Sequence, residues 1–133
     1  MSVHVRVRVG VETYAVPVEH VVEVAELGDV TRVPGTPPAV RGVRNLHGEV
    51  VPVFDLASVL GLAAGAPRRL LVAELDRRRA GFAVDDVVAV DDLPDPTEDT
   101  ESSLLTGAAL VDEDLVGFVD VATLFAAVEA AGT

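Results

Sequence analysis

The chain opens with a strict alternation of apolar and polar side chains. A period of two predicts a β-strand with one buried face and one solvated face. After a turn at residues 10–12, a second alternating segment forms the hairpin partner. It ends near Pro17, which has no N–H to donate and therefore marks a strand end or a sheet edge. In the first strand the apolar positions are Val3, Val5, Val7 and Val9, and the polar positions are His4, Arg6 and Arg8.

The rest of the pattern predicts further strands, two loops and two helices. Residues 34–38 contain three prolines and a glycine, which exclude a helix or a central strand and indicate a loop. Asp55 and Asp120 each precede a short apolar pattern typical of a helix, so we expect both carboxylates to be N-caps. Strands are expected at 21–27, 40–46, 50–54, 69–75 and 80–84, an acidic loop at 94–103, and a C-terminal helix after Asp120.

An internal repeat is the most informative feature of the sequence. A shift of 65 positions places residues 40–46 on 105–111 and residues 53–60 on 118–125. A shift of 66 places residues 18–24 on 84–90. The repeat predicts two similar β subdomains that are each too small for a core of their own and therefore share one. Short strands at this spacing favour small barrels.

Composition and charge exclude several classes of function. The 133 residues include ten arginines and no lysine, against 22 acids, which gives a net charge of −12. Such a chain is repelled by phosphate, so we expect no nucleic-acid partner and no binding to an anionic membrane, and the lack of a long apolar run predicts no direct membrane insertion. No run approaches about 18 apolar residues, and cysteine is absent, so we expect a cytoplasmic protein without disulfides. Residues 1–73 are neutral, and the excess acid lies in residues 74–133.

Candidate catalytic and metal-binding residues give only weak signals. His4, His20 and His47 lack metal-ligand spacing, and no serine elbow motif is present. Asp55 and Asp120 are related by the repeat and could in principle form a shared-proton dyad, but a pair of helix N-caps is the simpler interpretation. We therefore predict no catalytic residue, no metal and no cofactor.

The segment from Val40 to Glu49 is the clearest candidate for a binding surface. It brings two arginines, an asparagine and a histidine onto one tight turn, where Asn45 or Gly48 can adopt a positive φ. One interpretation is a protein contact, because arginine is enriched in interface hot spots. The other is that the glycines only reverse the chain, while Arg41 and Arg44 balance nearby glutamates.

These same residues resemble a known family. Residues 41–56, RGVRNLHGEVVPVFDL, are similar to the signature of the CheW-like domain. Residues 14–24, 34–38, 105–110 and 116–120 match the same family. The resemblance implies a mainly β fold of two intertwined five-stranded SH3-like barrels, with short helices and a C-terminal helix. It also implies a single domain over residues 1–133.

The resemblance further implies a noncatalytic adaptor that couples the cytoplasmic tip of chemoreceptors to the regulatory domain of a CheA-type histidine kinase. In the family, the kinase contacts come mainly from apolar strand ends of the first barrel. His47 replaces the arginine usual in the family, so a permanent charge becomes a titratable one. The alternatives are a CheW-like adaptor in a non-motility pathway, or a small acidic β-barrel hydrolase. Carried over by position, the receptor-binding residues are Val21, Glu23, Gly42, Asn45, His47 and Gly48.

Overall fold

The computed structural model describes residues 1–132, with side chains described up to Glu129. The fold has ten strands and two helices, and the seven strands predicted by position follow the predicted order. A single turn of 3-10 helix lies at Val18–His20. The predicted domain extends to Thr133, which lies outside the described residues. The elements are β1 (Ser2–Val9), β2 (Glu12–Pro17), β3 (Val21–Glu26), β4 (Val40–Leu46), β5 (Glu49–Asp55), α1 (Leu56–Val59), β6 (Arg69–Leu75), β7 (Arg78–Val84), β8 (Asp86–Leu93), β9 (Leu105–Val111), β10 (Asp114–Val119) and α2 (Val121–Gly132).

The strands form two five-stranded sheets that exchange strands between the two sequence repeats. Sheet A has the order β8-β1-β2-β10-β9, and sheet B has the order β3-β6-β7-β5-β4. Each sheet therefore takes two strands from one repeat and three from the other. The sheets also share one parallel pair in the same place, β10 with β2 and β5 with β7. The predicted mainly β fold with two intertwined five-stranded units is confirmed.

A backbone bridge draws the two edge strands of each sheet toward each other. In sheet B, Thr31 in the segment after β3 exchanges two 2.9 Å hydrogen bonds with Val43 in β4. In sheet A, Glu98 in the segment after β8 exchanges bonds of 2.8 and 2.9 Å with Ala108 in β9. We call these contacts the sheet-B closure and the sheet-A closure. They reduce the exposed sheet edge, which otherwise invites pairing with other chains.

Three clusters of buried apolar side chains make up the core. A large central cluster joins both sheets to α1 and α2, and each sheet also encloses a small cluster of its own. The central cluster contains residues of β1 and β2 together with Phe54, Phe82 and Phe125. The expected shared core is present, because one face of each sheet packs against the other sheet. The expectation that neither subdomain has a core of its own is wrong, since each sheet also encloses a small apolar cluster. The cluster of sheet A is Ala15, Leu93, Ala109, Val116 and Phe118, and that of sheet B is Leu46, Val51, Val53, Leu70 and Val72.

The expectation that the polar face of β1 is solvated holds at Arg8 but is wrong at His4 and Arg6. His4 and Arg6 are both only 7% exposed, because β1 lies between β8 and β2 and this face points into sheet A. The His4 ring packs edge-on against Phe118 at 5.1 Å, and its Nδ1 lies 2.9 Å from the Ser2 carbonyl oxygen. Arg6 donates to both carboxylate oxygens of Asp91, at 3.3 and 2.8 Å. Burial of these side chains is possible because each has a polar partner.

Candidate protein-binding surface

The candidate surface is built from β3 and the β4–β5 hairpin of sheet B. The two elements lie at opposite edges of the sheet, and the sheet-B closure brings them together. Their side chains meet where His47 Nε2 lies 3.1 Å from Glu23 Oε1. The His47 side chain is 79% exposed and that of Glu23 is 31% exposed. A contact that is this open to water stabilises the fold only weakly and leaves both groups accessible to a partner.

The hairpin turn holds its residues in a fixed geometry. His47 and Gly48 have φ values of 53° and 86°, as two-residue hairpin turns require. Asn45 has no positive φ, contrary to one of the two expectations for this turn. Instead, its side-chain oxygen accepts a 3.0 Å hydrogen bond from the Gly48 N–H. Asn45, His47 and Gly48 are all exposed, so the turn presents polar groups on a rigid backbone.

Gly42 lies beneath this surface and not on it. The residue is buried with a φ of 143°, and a Cβ at this position would lie 2.0 Å from the Thr31 carbonyl oxygen. Only glycine therefore permits the close approach that forms the sheet-B closure. Gly42 supports the surface by allowing β3 and β4 to meet.

Val21 is half-buried at the start of β3 and packs against the central core. The structure thus brings Glu23, Asn45, His47 and Gly48 together on the outside of sheet B. Val21 in β3 packs against the core, and Gly42 in β4 allows the close approach of the neighbouring segment, so both residues support the surface from beneath.

The two arginines of the segment have roles that neither sequence interpretation foresaw. Arg44 donates from one guanidinium nitrogen to the backbone carbonyl oxygens of Glu26 and Leu27, and the Leu27 distance is 3.0 Å. Arg44 therefore reinforces the sheet-B closure from outside. Arg41 lies 3.6 Å from Asp55, and neither arginine is paired with a glutamate carboxylate in the described residues. Backbone carbonyl partners have no sequence signature, which is why the pattern could not reveal them.

A group of charged side chains that the sequence reasoning missed adjoins the hairpin. Arg79 donates to Glu74 at 2.7 Å and lies 3.5 Å from Glu49, the residue that follows Gly48. The hydrogen bond to Glu74 raises the pKa of Arg79 above its ordinary value. Glu74 and Arg79 are direct cross-strand partners in the β6–β7 hairpin, so a correct hairpin register would have predicted this pair.

The carboxylates considered for catalysis are helix caps, as predicted. Asp55 accepts a 3.1 Å bond from the Ala57 N–H, and Asp120 accepts one of the same length from Thr123. These bonds satisfy N–H groups at the starts of α1 and α2. Within residues 1–132 no group of histidines and carboxylates is arranged to hold a metal ion. No helix in that part of the chain has the length and apolar content needed to cross a bilayer.

The fold and surface together define a small β module of two joined sheets with an exposed polar hairpin. Comparison with known proteins gives the family. The CheW-like domain matches residues 4–129. The chain is 29% identical to "Probable chemotaxis protein CheW" of Rhizobium etli, over 92% of this chain and 86% of that protein. It is 30% identical to the chemotaxis protein CheW of Rhizobium meliloti, over 89% and 83% of the two chains.

A solved structure agrees with these relatives. The scaffolding protein TtCheW from Thermoanaerobacter tengcongensis superimposes with a TM-score of 0.83 at 25% identity, covering 93% of this chain and 87% of that one. The chain therefore belongs to the CheW-like domain family.

Proposed function

We propose that this protein is a noncatalytic cytoplasmic adaptor of chemotaxis signalling. As a single domain of two β subdomains, it couples the cytoplasmic tip of a chemoreceptor to the regulatory domain of a CheA-type histidine kinase. One observation carries this proposal: the CheW-like domain extends over residues 4–129, and relatives matched over 86% and 83% of their length are named as chemotaxis proteins CheW.

We assign receptor contact to Glu23, Asn45, His47 and Gly48, and the support of that surface to Val21 and Gly42. The geometry supports an open contact made by Glu23 and the hairpin turn. A receptor tip is helical, and a helix recognised by a groove needs fixed polar groups beside apolar contacts. The Glu23 carboxylate, the Asn45 amide and the His47 ring supply those groups, while Gly42 and Val21 hold β3 and β4 in place. The contact can be modest in strength, because arrayed receptors, adaptors and kinases raise its effective concentration.

The first experiment measures binding to a purified receptor tip and to the kinase regulatory domain from the same genome. His47→Asn removes the ring yet keeps a residue that tolerates the positive φ. Glu23→Gln removes the charge and keeps the shape. We expect each variant to weaken receptor binding by about tenfold and to leave kinase binding unchanged.

The matched control is Asp112→Asn, at the corresponding position of the β9–β10 turn, with a φ of 51°. It should bind the receptor tip as the unmodified protein does. Wild-type protein that binds neither partner would refute the adaptor proposal. Receptor binding that tolerates both sheet-B variants would refute only the assigned surface.

A further inference from the structure

Two leucines are exposed on the outer face of the β9–β10 hairpin in sheet A. Leu110 is 69% exposed and Leu115 is 58% exposed. They are direct cross-strand partners, so the two side chains lie side by side and form one apolar surface. Exposed single apolar residues are common, and a contiguous pair offers a partner more apolar surface than one such residue does.

The fold itself does not require these leucines. The shift of 65 relates Leu110 to Asn45 and Leu115 to Val50, which form the corresponding cross-strand pair of the β4–β5 hairpin. That hairpin has the same turn with an asparagine in place of the first leucine. The leucine pair is therefore an additional feature of sheet A.

Acidic residues lie beside the leucine pair at the turn. Asp112 and Glu113 form the turn, whereas Asp114 pairs with Val111 and points to the other face of the sheet. The parallel pairing of Val116 with Thr13 sets Leu115 beside Glu12 of β2. Arg6 lies 3.7 Å from Asp112, but this guanidinium is buried and binds Asp91 more closely. The rim therefore has an excess of negative charge.

We propose that Leu110 and Leu115 form a docking surface for a protein segment that carries apolar side chains flanked by arginine or lysine. The leucines supply the apolar contact, and the rim of Glu12, Asp112 and Glu113 attracts the basic residues. A second copy of this chain is the wrong partner, because two such rims would repel each other. An anionic membrane is disfavoured for the same reason. The surface lies on sheet A and shares no residue with the proposed receptor surface on sheet B, so it goes beyond the proposed function.

The test uses the full chain and three short amphipathic helical peptides at physiological salt. One peptide carries leucines flanked by arginines, the second has serines in place of leucines, and the third has glutamates in place of arginines. Binding is followed by amide chemical shifts. We expect the leucine–arginine peptide to shift residues 110–115 and to bind about tenfold more tightly than either other peptide.

Two variants separate this surface from general attraction to an acidic protein. Leu110→Thr with Leu115→Thr keeps good strand residues and should lose about tenfold in affinity for the leucine–arginine peptide. The control Val50→Thr, in the corresponding hairpin, should bind the peptide unchanged. Glu12→Arg keeps both leucines, reverses the charge beside Leu115 and should shift the preference towards the leucine–glutamate peptide.

Three outcomes would overturn the proposal. In the first, the serine–arginine peptide binds as well as the leucine–arginine peptide, which would indicate charge attraction alone. In the second, the leucine variant binds normally or the shifts map to another surface. In the third, sedimentation shows a wild-type dimer that the leucine variant abolishes, which would make the partner a second copy. If the double variant unfolds, Glu12→Arg with the wild-type peptide comparison decides: an unchanged peptide preference would refute the surface.

Discussion

The β4–β5 and β9–β10 hairpins have closely similar backbones and very different surfaces. In each hairpin, the strand before the turn contains a glycine with a positive φ. In β4 this is Gly42, with a φ of 143°, and in β9 it is Gly107, with a φ of 157°. Both turns have two residues of positive φ, and both exit strands lead to an aspartate-capped helix. One hairpin exposes Asn45 and His47, and the other exposes leucines within an acidic rim. The repeat thus preserves the residues that shape the backbone and leaves the exposed positions free to differ.

The two closures differ in the same way. Arg44 reinforces the sheet-B closure by donating to backbone carbonyl groups from outside. The shift of 65 places Ala109 at the corresponding position of sheet A, and alanine cannot reach across. There Arg6 connects β8 to the β9–β10 turn from inside, through Asp91 and Asp112. Equivalent backbones can therefore be held together by cations from different strands.

The largest loss of folding stability is expected when a side chain is added at Gly42 or Gly107. A Cβ at Gly42 would lie 2.0 Å from the Thr31 carbonyl oxygen, whereas a Cβ at Gly107 would lie 2.7 Å from the Pro96 side chain and 2.8 Å from the Glu98 carbonyl oxygen. Gly42→Ala should lower the free energy of unfolding by about 3 kcal/mol, and Gly107→Ala by less. Urea unfolding measures both values. Gly10→Ala is the control, because that glycine has a positive φ but no neighbour within 4 Å of an added Cβ. Equal losses at Gly42 and Gly10 would show that the close approach is unimportant.

A smaller loss of folding stability is expected when Arg6 or Arg44 is replaced by methionine. Arg6→Met should lower the free energy of unfolding by about 2 kcal/mol, because it leaves Asp91 without its buried partner. Asp91 is itself 38% exposed, so water recovers part of the loss. Arg44→Met should lower it by about 1 kcal/mol, because water can reach the freed carbonyl groups. Arg8→Met, at an exposed position of the same strand as Arg6, is the control in the same unfolding experiment. A larger loss of unfolding free energy for Arg44→Met than for Arg6→Met would contradict the prediction that the buried arginine contributes more.

The smallest predicted effect is a loss of folding stability at high pH, and it arises in sheet A alone. Burial raises the pKa of Tyr14 above its ordinary 10.0, and the nearby charge of Glu12 raises it further. The folded state therefore holds this proton more tightly than the unfolded state. The resulting stability is fully present below about pH 10 and is lost as the pH rises through the higher folded-state pKa. Urea unfolding should detect this loss, and Tyr14→Phe should remove it. The repeat places Ala80 of sheet B at this position, so no equivalent loss arises there.

Tyr14 is the only tyrosine in the chain, so tyrosinate absorbance reports on this group alone. The absorbance midpoint should lie above that of the urea-unfolded protein. Equal midpoints would contradict the raised pKa.

Much of the fold could be predicted from local sequence patterns. Alternation located β1, the prolines located the loop at 34–38, and aspartates located both helix starts. The exchange of strands between sheets does not follow from the repeat, because a repeat shows which segments are alike and not which ones pair. The intertwined arrangement came from the family resemblance.

The polar contacts were harder to predict. Arg6 meets Asp91 across 85 positions, and Arg44 binds carbonyl groups that every residue possesses. The candidate surface was located by family resemblance, but only the coordinates show that Gly42 lies beneath it. Side-chain identity alone does not distinguish a residue that contacts a partner from one that lets two strands approach.

The strand exchange has a consequence for synthesis on the ribosome. When residues 1–67 have emerged, the nascent chain contains two strands of sheet A and three of sheet B. β5 then lacks its parallel neighbour β7, and β2 lacks β10. Neither sheet can be completed cotranslationally from the first half, so native structure has to await the C-terminal strands. A cell that produces this protein must keep its early apolar strands from aggregating until β10 has left the ribosome.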